Sequence, residues 1–453
     1  MLARFAALVL LATALSLSTG CRRSSGPRIT PASPADDASA AQSPSPSGPA
    51  LLVDARTTAM EEAYDALIRG DEGAPRKVLD LGADTMIVLD RAVSSNNVNA
   101  MLGAVHTLVQ VEDPARDDLL LKVLESTVTT LRVEALDALA QKKVTRARGK
   151  IVSLLSDGEM EVRATACDAL AAVGALGDEG LNALFVRLKD AEDVVRAACS
   201  TTFAAAATAK DWQDRVAALL IDKAPASREG ALRVLAIWQG PAAFDLVRGR
   251  LADEDGGVRA SALAAIGHFG TPEAYREVVP HLKDDRLPVR LEAVGALAGL
   301  PVDQVKTSVY EALADREPMI RIEATRQLVR APDDPETYIR LHALLRDEDA
   351  GVRAAAAFAV AQLADPRSFK AILDRLTIET DEAVQLELLD ALVMGSPMDA
   401  IPHLIDMLDK AKGAMRSRVI IHLRTRTLQK LPAESKPWRE WYAAKKPATP
   451  VAP

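Results

Sequence analysis

The chain has 453 residues, 49% hydrophobic but only 4% aromatic, and a formal net charge of −8. An apolar content made of Ala, Leu and Val suits thin, closely packed helical layers rather than a broad aromatic core. The acidic balance excludes a general nucleic-acid binder, which needs a concentrated basic surface to neutralise phosphates.

Residues 1–20 are expected to be an export signal. Arg4 supplies the positive start, Ala6 to Leu17 an apolar run too short to span a bilayer, and Ser18-Thr19-Gly20 a small-residue end. Cys21 follows directly, and the stretch Leu17 to Cys21 resembles a bacterial lipobox, with the aliphatic residue displaced to Leu17 because Ser18 stands three before the cysteine. That resemblance implies a lipid on Cys21 and attachment to a membrane through it. With Arg22 rather than Asp next, it implies an outer-membrane lipoprotein facing the periplasm, with a secreted or surface-exposed protein as the alternative. Residues 21–50, rich in Pro, Ser and Ala, have little to bury and are predicted to be a disordered tether. An atypical helical cap is expected over 51–92.

From 93 to 428 one phrase recurs. Arg132, Arg163, Arg196, Arg228, Arg259, Arg290, Arg321 and Arg353 follow one another at intervals of 31 to 33 residues, and Gln385 continues the series. From Arg163 on, an acid stands six residues before each: Asp157, Asp190, Asp222, Asp253, Asp284, Asp315, Asp347, and Glu379 before Gln385. The spacing places the acid in a turn that closes a helix A, its carboxylate capping the open amides of a helix B, and the Arg in the first turn of helix B. The acids and arginines then form a ladder of repeat-to-repeat struts. Val258, Ala262, Leu263, Ala265 and Ile266 make one apolar stripe of 3.6-residue period on a B helix. A helices are predicted from Pro241 to Leu251, Pro272 to Leu282, Pro335 to Leu345 and Pro366 to Leu376, each opening on a proline that costs no helical hydrogen bond there. No strand pattern is present.

A two-helix unit of about 31 residues with an Asp-x5-Arg spacing resembles a HEAT repeat, especially the short variety found in phycobilisome lyases. The resemblance implies an all-α fold, an α/α superhelical solenoid whose B helices line a concave face that binds proteins. Residues 429–453 are expected to be a C-terminal cap and tail, and Trp438-Arg439-Glu440-Trp441-Tyr442 resembles a short ending of some bacterial HEAT proteins.

Catalytic signatures are absent: no phosphate loop, no HExxH, no GxSxG and no CxxC. The six histidines are scattered without metal-ligand spacing, so no catalytic residue, metal or cofactor is predicted. Cys167 and Cys199 fall on neighbouring B helices, one position out of register. With helix axes roughly 8–10 Å apart and a disulfide needing α-carbons nearer about 5.5 Å, they are expected to be small buried residues without a bridge.

What remains is surface. Positions two and five after the ladder Arg hold Glu134, Asp137, Asp168, Glu292, Glu323, Glu387 and Asp390 against Arg233 and Arg326, with Phe358 as an aromatic anchor in the same row. An acidic concave face fits a basic segment of a protein partner, the alternative being an ordinary solvated helix face. Between Lys410 and Lys446 eleven Lys or Arg meet only Glu434 and Glu440, giving this end +9 and the rest −17. A polar cap is expected there, with contact to anionic lipid or cell-wall polymer as the alternative. The function expected is a non-catalytic, lipid-tethered scaffold or adaptor of the cell envelope, against an enzyme or enzyme-assisting protein of the lyase-like type.

Overall fold

The computed structural model describes residues 49–174 and 176–445, so Cys21, the export signal and nearly all of the tether lie outside the described residues. The chain divides between Arg56 and Thr57, and the stacked helices belong to the second unit. After helices Pro49–Arg69 and Ala74–Leu79 comes a series of helix pairs, beginning with Thr85–Val93 and Val98–Leu108 and ending with Pro397–Met407 and Gly413–Thr427. Helix Ser435–Lys445 comes last, and no strand occurs among the described residues.

In most pairs a short A helix precedes a longer B helix, as Pro241–Arg248 precedes Gly256–Phe269. Pro241, Pro272 and Pro335 sit in first turns, where a missing amide leaves no bond unmade. The helix from Pro272 tightens at Val279 into a 3-10 turn, and Pro366 opens a 3-10 turn before Phe369–Leu376. B helices pack mainly on the B helices before and after them, and A helices on their own B partner. The stripe Val258, Ala262, Leu263, Ala265 and Ile266 is buried throughout, as a 3.6-residue period on one face requires.

One expectation about the turns is corrected. The ladder acids do not cap helix B. Asp253 Oδ1 accepts the amide of Asp255 at 3.0 Å, and Asp157, Asp190, Asp284, Asp315 and Asp347 do the same two residues on. Each acid stands two residues before the N-cap, so its carboxylate closes an Asx turn and lies out of reach of the first-turn amides. Side-chain capping comes from the N-cap position instead, where Asp255, Asp349 and Asp381 accept from amides of the first turn.

The thin layers bring backbones together. A Cβ on Gly230 would lie 1.9 Å from the carbonyl oxygen of Leu188, a distance that only backbone movement relieves. Gly230→Ala is therefore expected to destabilise the array by about 1–3 kcal/mol, the usual cost of overpacking, seen as a lower guanidinium midpoint. An unchanged midpoint would show that the two helices slide apart freely.

The same closeness overturns the expectation for the cysteines. Cys167 and Cys199 are joined by a disulfide, with α-carbons 5.0 Å apart. Axis separation was the wrong measure: α-carbons ride about 2.3 Å off each axis, so facing residues at an axis separation of about 8–10 Å approach to roughly 3.5–5.5 Å. Thr202 lies on the same contact line, its hydroxyl donating to the Cys167 carbonyl at 3.0 Å. Both cysteines are buried, as expected.

At the C-terminal end, Trp438 is fully buried and its indole N–H donates to Pro432 O at 2.7 Å. Arg439 binds Asp406 at 3.0 Å and Asp409 at 2.6 Å, while Arg416 and Arg424 donate to backbone carbonyls. Arg439 thus ties the last helix to the final pair, and Arg416 and Arg424 tie down the loop between them.

Candidate partner-binding face

The ladder determines which charges remain for a ligand. Arg259 Nη1 donates to Asp253 O at 3.0 Å in its own turn, while Nε and Nη2 each reach Asp284 of the following pair at 3.0 Å. Arg163 with Asp190, Arg290 with Asp315, Arg321 with Asp347 and Arg353 with Glu379 repeat this two-way grip. Arg228 reaches Asp253 and Arg132 reaches Asp157 through one nitrogen each. Each arginine therefore binds backbone at home and a carboxylate next door. Burial opposes the Asp284 charge, but the Arg259 guanidinium and the Arg286 amide more than offset it and hold the carboxyl at about 2. These groups are engaged with one another across the seam.

One rung departs from the pattern. Arg196 keeps its bond to Asp190 O at 2.7 Å but turns to Glu229 at 2.6 Å and Asp193 at 3.1 Å instead of Asp222. Asp222 instead holds the Ala224 amide, Lys189 at 3.5 Å and the Ser227 hydroxyl. Glu229, the residue after the next ladder arginine, intercepts the guanidinium, which the six-residue spacing along the chain does not reveal.

The row two and five positions after the ladder arginine is not one continuous acidic strip. Asp137 and Asp168 are exposed. Glu134 meets His106 Nε2 of the preceding B helix at 3.2 Å, and Glu323 pairs with Arg326 at 3.0 Å. Asp390 is bound by Arg418 and, at 2.6 Å, by His422 of the last B helix. Arg233 binds Asp193 at 2.6 Å. Two carboxylates differ. Burial pushes Glu292 up, with Arg233 opposing and Glu323 adding to the rise, and burial and Asp390 push Glu387 up against Arg418. Both hold desolvated charge that a cation from outside would stabilise.

Phe358 is 52% exposed and stands in a groove of about 530 Å³ across three successive B helices. Ile322, Val329, Ala354 and Ala355 supply apolar walls, with Arg326 and Glu387 also on the lining. The walls were not anticipated: Ile322 and Ala354 lie one position after the ladder arginine, and small apolar residues on a half-exposed flank are the signal that would have found them. Among the described residues, no group of three or more His, Cys, Asp or Glu is placed to hold a metal ion.

Stacked helix pairs bound by a repeated Arg–carboxylate seam define an α solenoid. The HEAT-repeat signature matches residues 118–202, 213–298, 307–393 and 339–424, more than half of the chain, and the chain belongs to the HEAT-repeat family. Among solved structures it is similar to yeast importin-β (Kap95p), with a TM-score of 0.58 at 14% identity over 88% of this chain and 64% of that one. Kap95 in complex with Nup1 gives 0.57 at 13% identity, and Kap95p with RanGDP 0.54 at 15%, with the same coverage. The chain spans 64% of the length of these importins, and at such identities the likeness is one of fold. No curated protein matches the chain by sequence. No described helix is long and apolar enough to cross a membrane.

Proposed function

We propose that this HEAT-repeat protein is a non-catalytic scaffold of the bacterial cell envelope, holding a partner protein along the exposed face of its B helices. The observation that carries the proposal is the Phe358 groove: a half-exposed aromatic among apolar walls, with Glu387 beside it and Glu292 further along the same row, each facing an arginine that is already bound to another carboxylate, Arg418 to Asp390 and Arg233 to Asp193. An aliphatic side chain seated against Phe358, with Lys or Arg neighbours reaching those carboxylates, satisfies both halves of the site. The importin complexes with Nup1 and RanGDP support the general use of such a stack for holding proteins. The lipobox-like stretch ending in Cys21 supports anchoring by lipid, and the buried Cys167–Cys199 disulfide supports an oxidising compartment such as the periplasm.

Crosslinking in the native envelope, followed by mass spectrometry, identifies the partner. Against that partner, E292K/E323K/E387K and, separately, F358A are each expected to weaken binding at least tenfold with unchanged helical circular dichroism. Undiminished binding by both variants would remove this face as the site. Cys21→Ser is expected to release the protein from membranes, and continued fractionation with them would refute the lipid anchor.

A further inference from the structure

At one seam both halves of the rung are missing. Gln385 stands where the other B helices carry Arg, and in the next pair Lys410 stands two residues before the N-cap Lys412, the place of the ladder acid. Gln385 keeps the home bond, its Nε2 donating to Glu379 O at 2.6 Å. It has no charge to send across, and Lys410 has no acceptor to receive it. The following turn is held differently, by Arg416 donating to Leu408 O at 2.7 Å and Ala411 O at 3.4 Å.

Where the strut is lost, a cleft of about 820 Å³ opens, within the ordinary size of ligand sites. Leu373, Leu376, Met407 and Met415 give it aliphatic walls, and Gln385, Lys410 and Lys412 line it as donors. Among the acids on its border, Glu379 is held by Arg353 and Arg375, and Asp406 by Arg439 at 3.0 Å. That leaves Glu382 as the counter-charge to two exposed lysines.

We propose that this cleft binds a carboxylate-bearing aliphatic peptide segment. The carboxylate takes the position a ladder acid would occupy, accepting from Lys410, Lys412 and the second amide hydrogen of Gln385, while aliphatic side chains cover the Leu and Met walls. A cationic segment meets two lysines against one glutamate here, and a neutral apolar one leaves the surplus positive charge unmatched. The site lies on the edge where A helices turn into B helices, and its charge preference is opposite to that of the Phe358 groove.

The test uses the full chain and two synthetic peptides, one alternating Leu and Asp and one with Asn for each Asp. The Asp peptide is expected to bind saturably by isothermal calorimetry, and the Asn peptide at least tenfold more weakly. Q385R/K410D rebuilds the rung and closes the seam. It is expected to bind the Asp peptide at least tenfold more weakly than wild type, with helical circular dichroism intact and a melting temperature at or above the wild-type value. K410S/K412S, which puts a favourable N-cap serine where Lys412 makes no capping bond, is expected to fold and to show the same loss, and serves if the first variant does not fold. F358A keeps peptide binding, which separates this site from the B-helix face. No saturable binding by the wild type, equal binding of the two peptides, or undiminished binding by the folded variants would overturn the proposal.

Discussion

Arg353→Met is expected to loosen one seam by about 3 kcal/mol, the lower end of what is lost when one partner of a buried ion pair is removed. Glu379, whose side chain has no exposure, accepts from Arg353 Nε at 2.8 Å and Nη2 at 3.0 Å. Without Arg353 it keeps Arg375 and two backbone amides, which is why the cost stays at the lower end. In an array whose repeats touch only their neighbours, the loss stays local. Amide hydrogen exchange in helices Ala350–Leu363 and Glu382–Gly395 should therefore accelerate about a hundredfold while the 129–173 region is unchanged. R353M/E379M should be at least as destabilised as R353M, because losing Glu379 also strips Arg375 and the Thr380 and Asp381 amides of their acceptor. If the single variant exchanged at the wild-type rate, the rungs would be ornaments of the surface and not struts.

The same residues fix the response to acid. Asp284 sits at about 2 against an ordinary 3.8, and Asp190 and Glu379 are also depressed, burial opposing their charge and the guanidinium bonds overcoming it. A depressed folded-state pKa stabilises above the unfolded pKa, and that stability is lost as pH falls through the folded value. Melting temperature should hold from pH 7 to about 5 and fall steeply between about 4 and 2. Glu292 and Glu387, pushed up by burial, run the other way and soften the upper part of that fall. A melting temperature flat to pH 2.5 would contradict the seam as the source of the effect.

The ladder was legible because each rung demands two residue types at fixed places, and a spacing of 31 to 33 residues exposes them without any structure. Which carboxylate each arginine grips was not in the spacing. The acid six residues back presents only its carbonyl to the guanidinium, and the bond to the carboxylate crosses to the next pair, as Arg259 shows with Asp253 and Asp284. Periodicity also placed the row from Glu134 to Asp390 on the B helices. It carried no information on neighbours across a seam, so His106 beside Glu134 and His422 beside Asp390 came only from packing. Ile322 and Ala354 read as ordinary apolar positions until three helices together made them walls around Phe358.

The cysteine pair shows how far a small-residue seam departs from average helix packing, and it yields the second large expected effect. Reducing the Cys167–Cys199 bridge, or replacing both cysteines with Ser, removes a constraint across 32 residues of chain. Chain-entropy arguments put its contribution at about 3–4 kcal/mol. The guanidinium midpoint of the segment carrying helices Met160–Val173 and Asp193–Ala206 should fall on reduction. Amides near Gly413–Thr427 should keep their protection, since that helix shares no seam with the bridge. Thiol titration of unfolded protein taken from the native envelope under alkylating conditions should find these two cysteines blocked as a disulfide. Two free thiols there would remove the support this bridge gives to an oxidising compartment while leaving the stacked-pair fold intact, because Ala166, Leu170 and Phe203 fill the same layers without it.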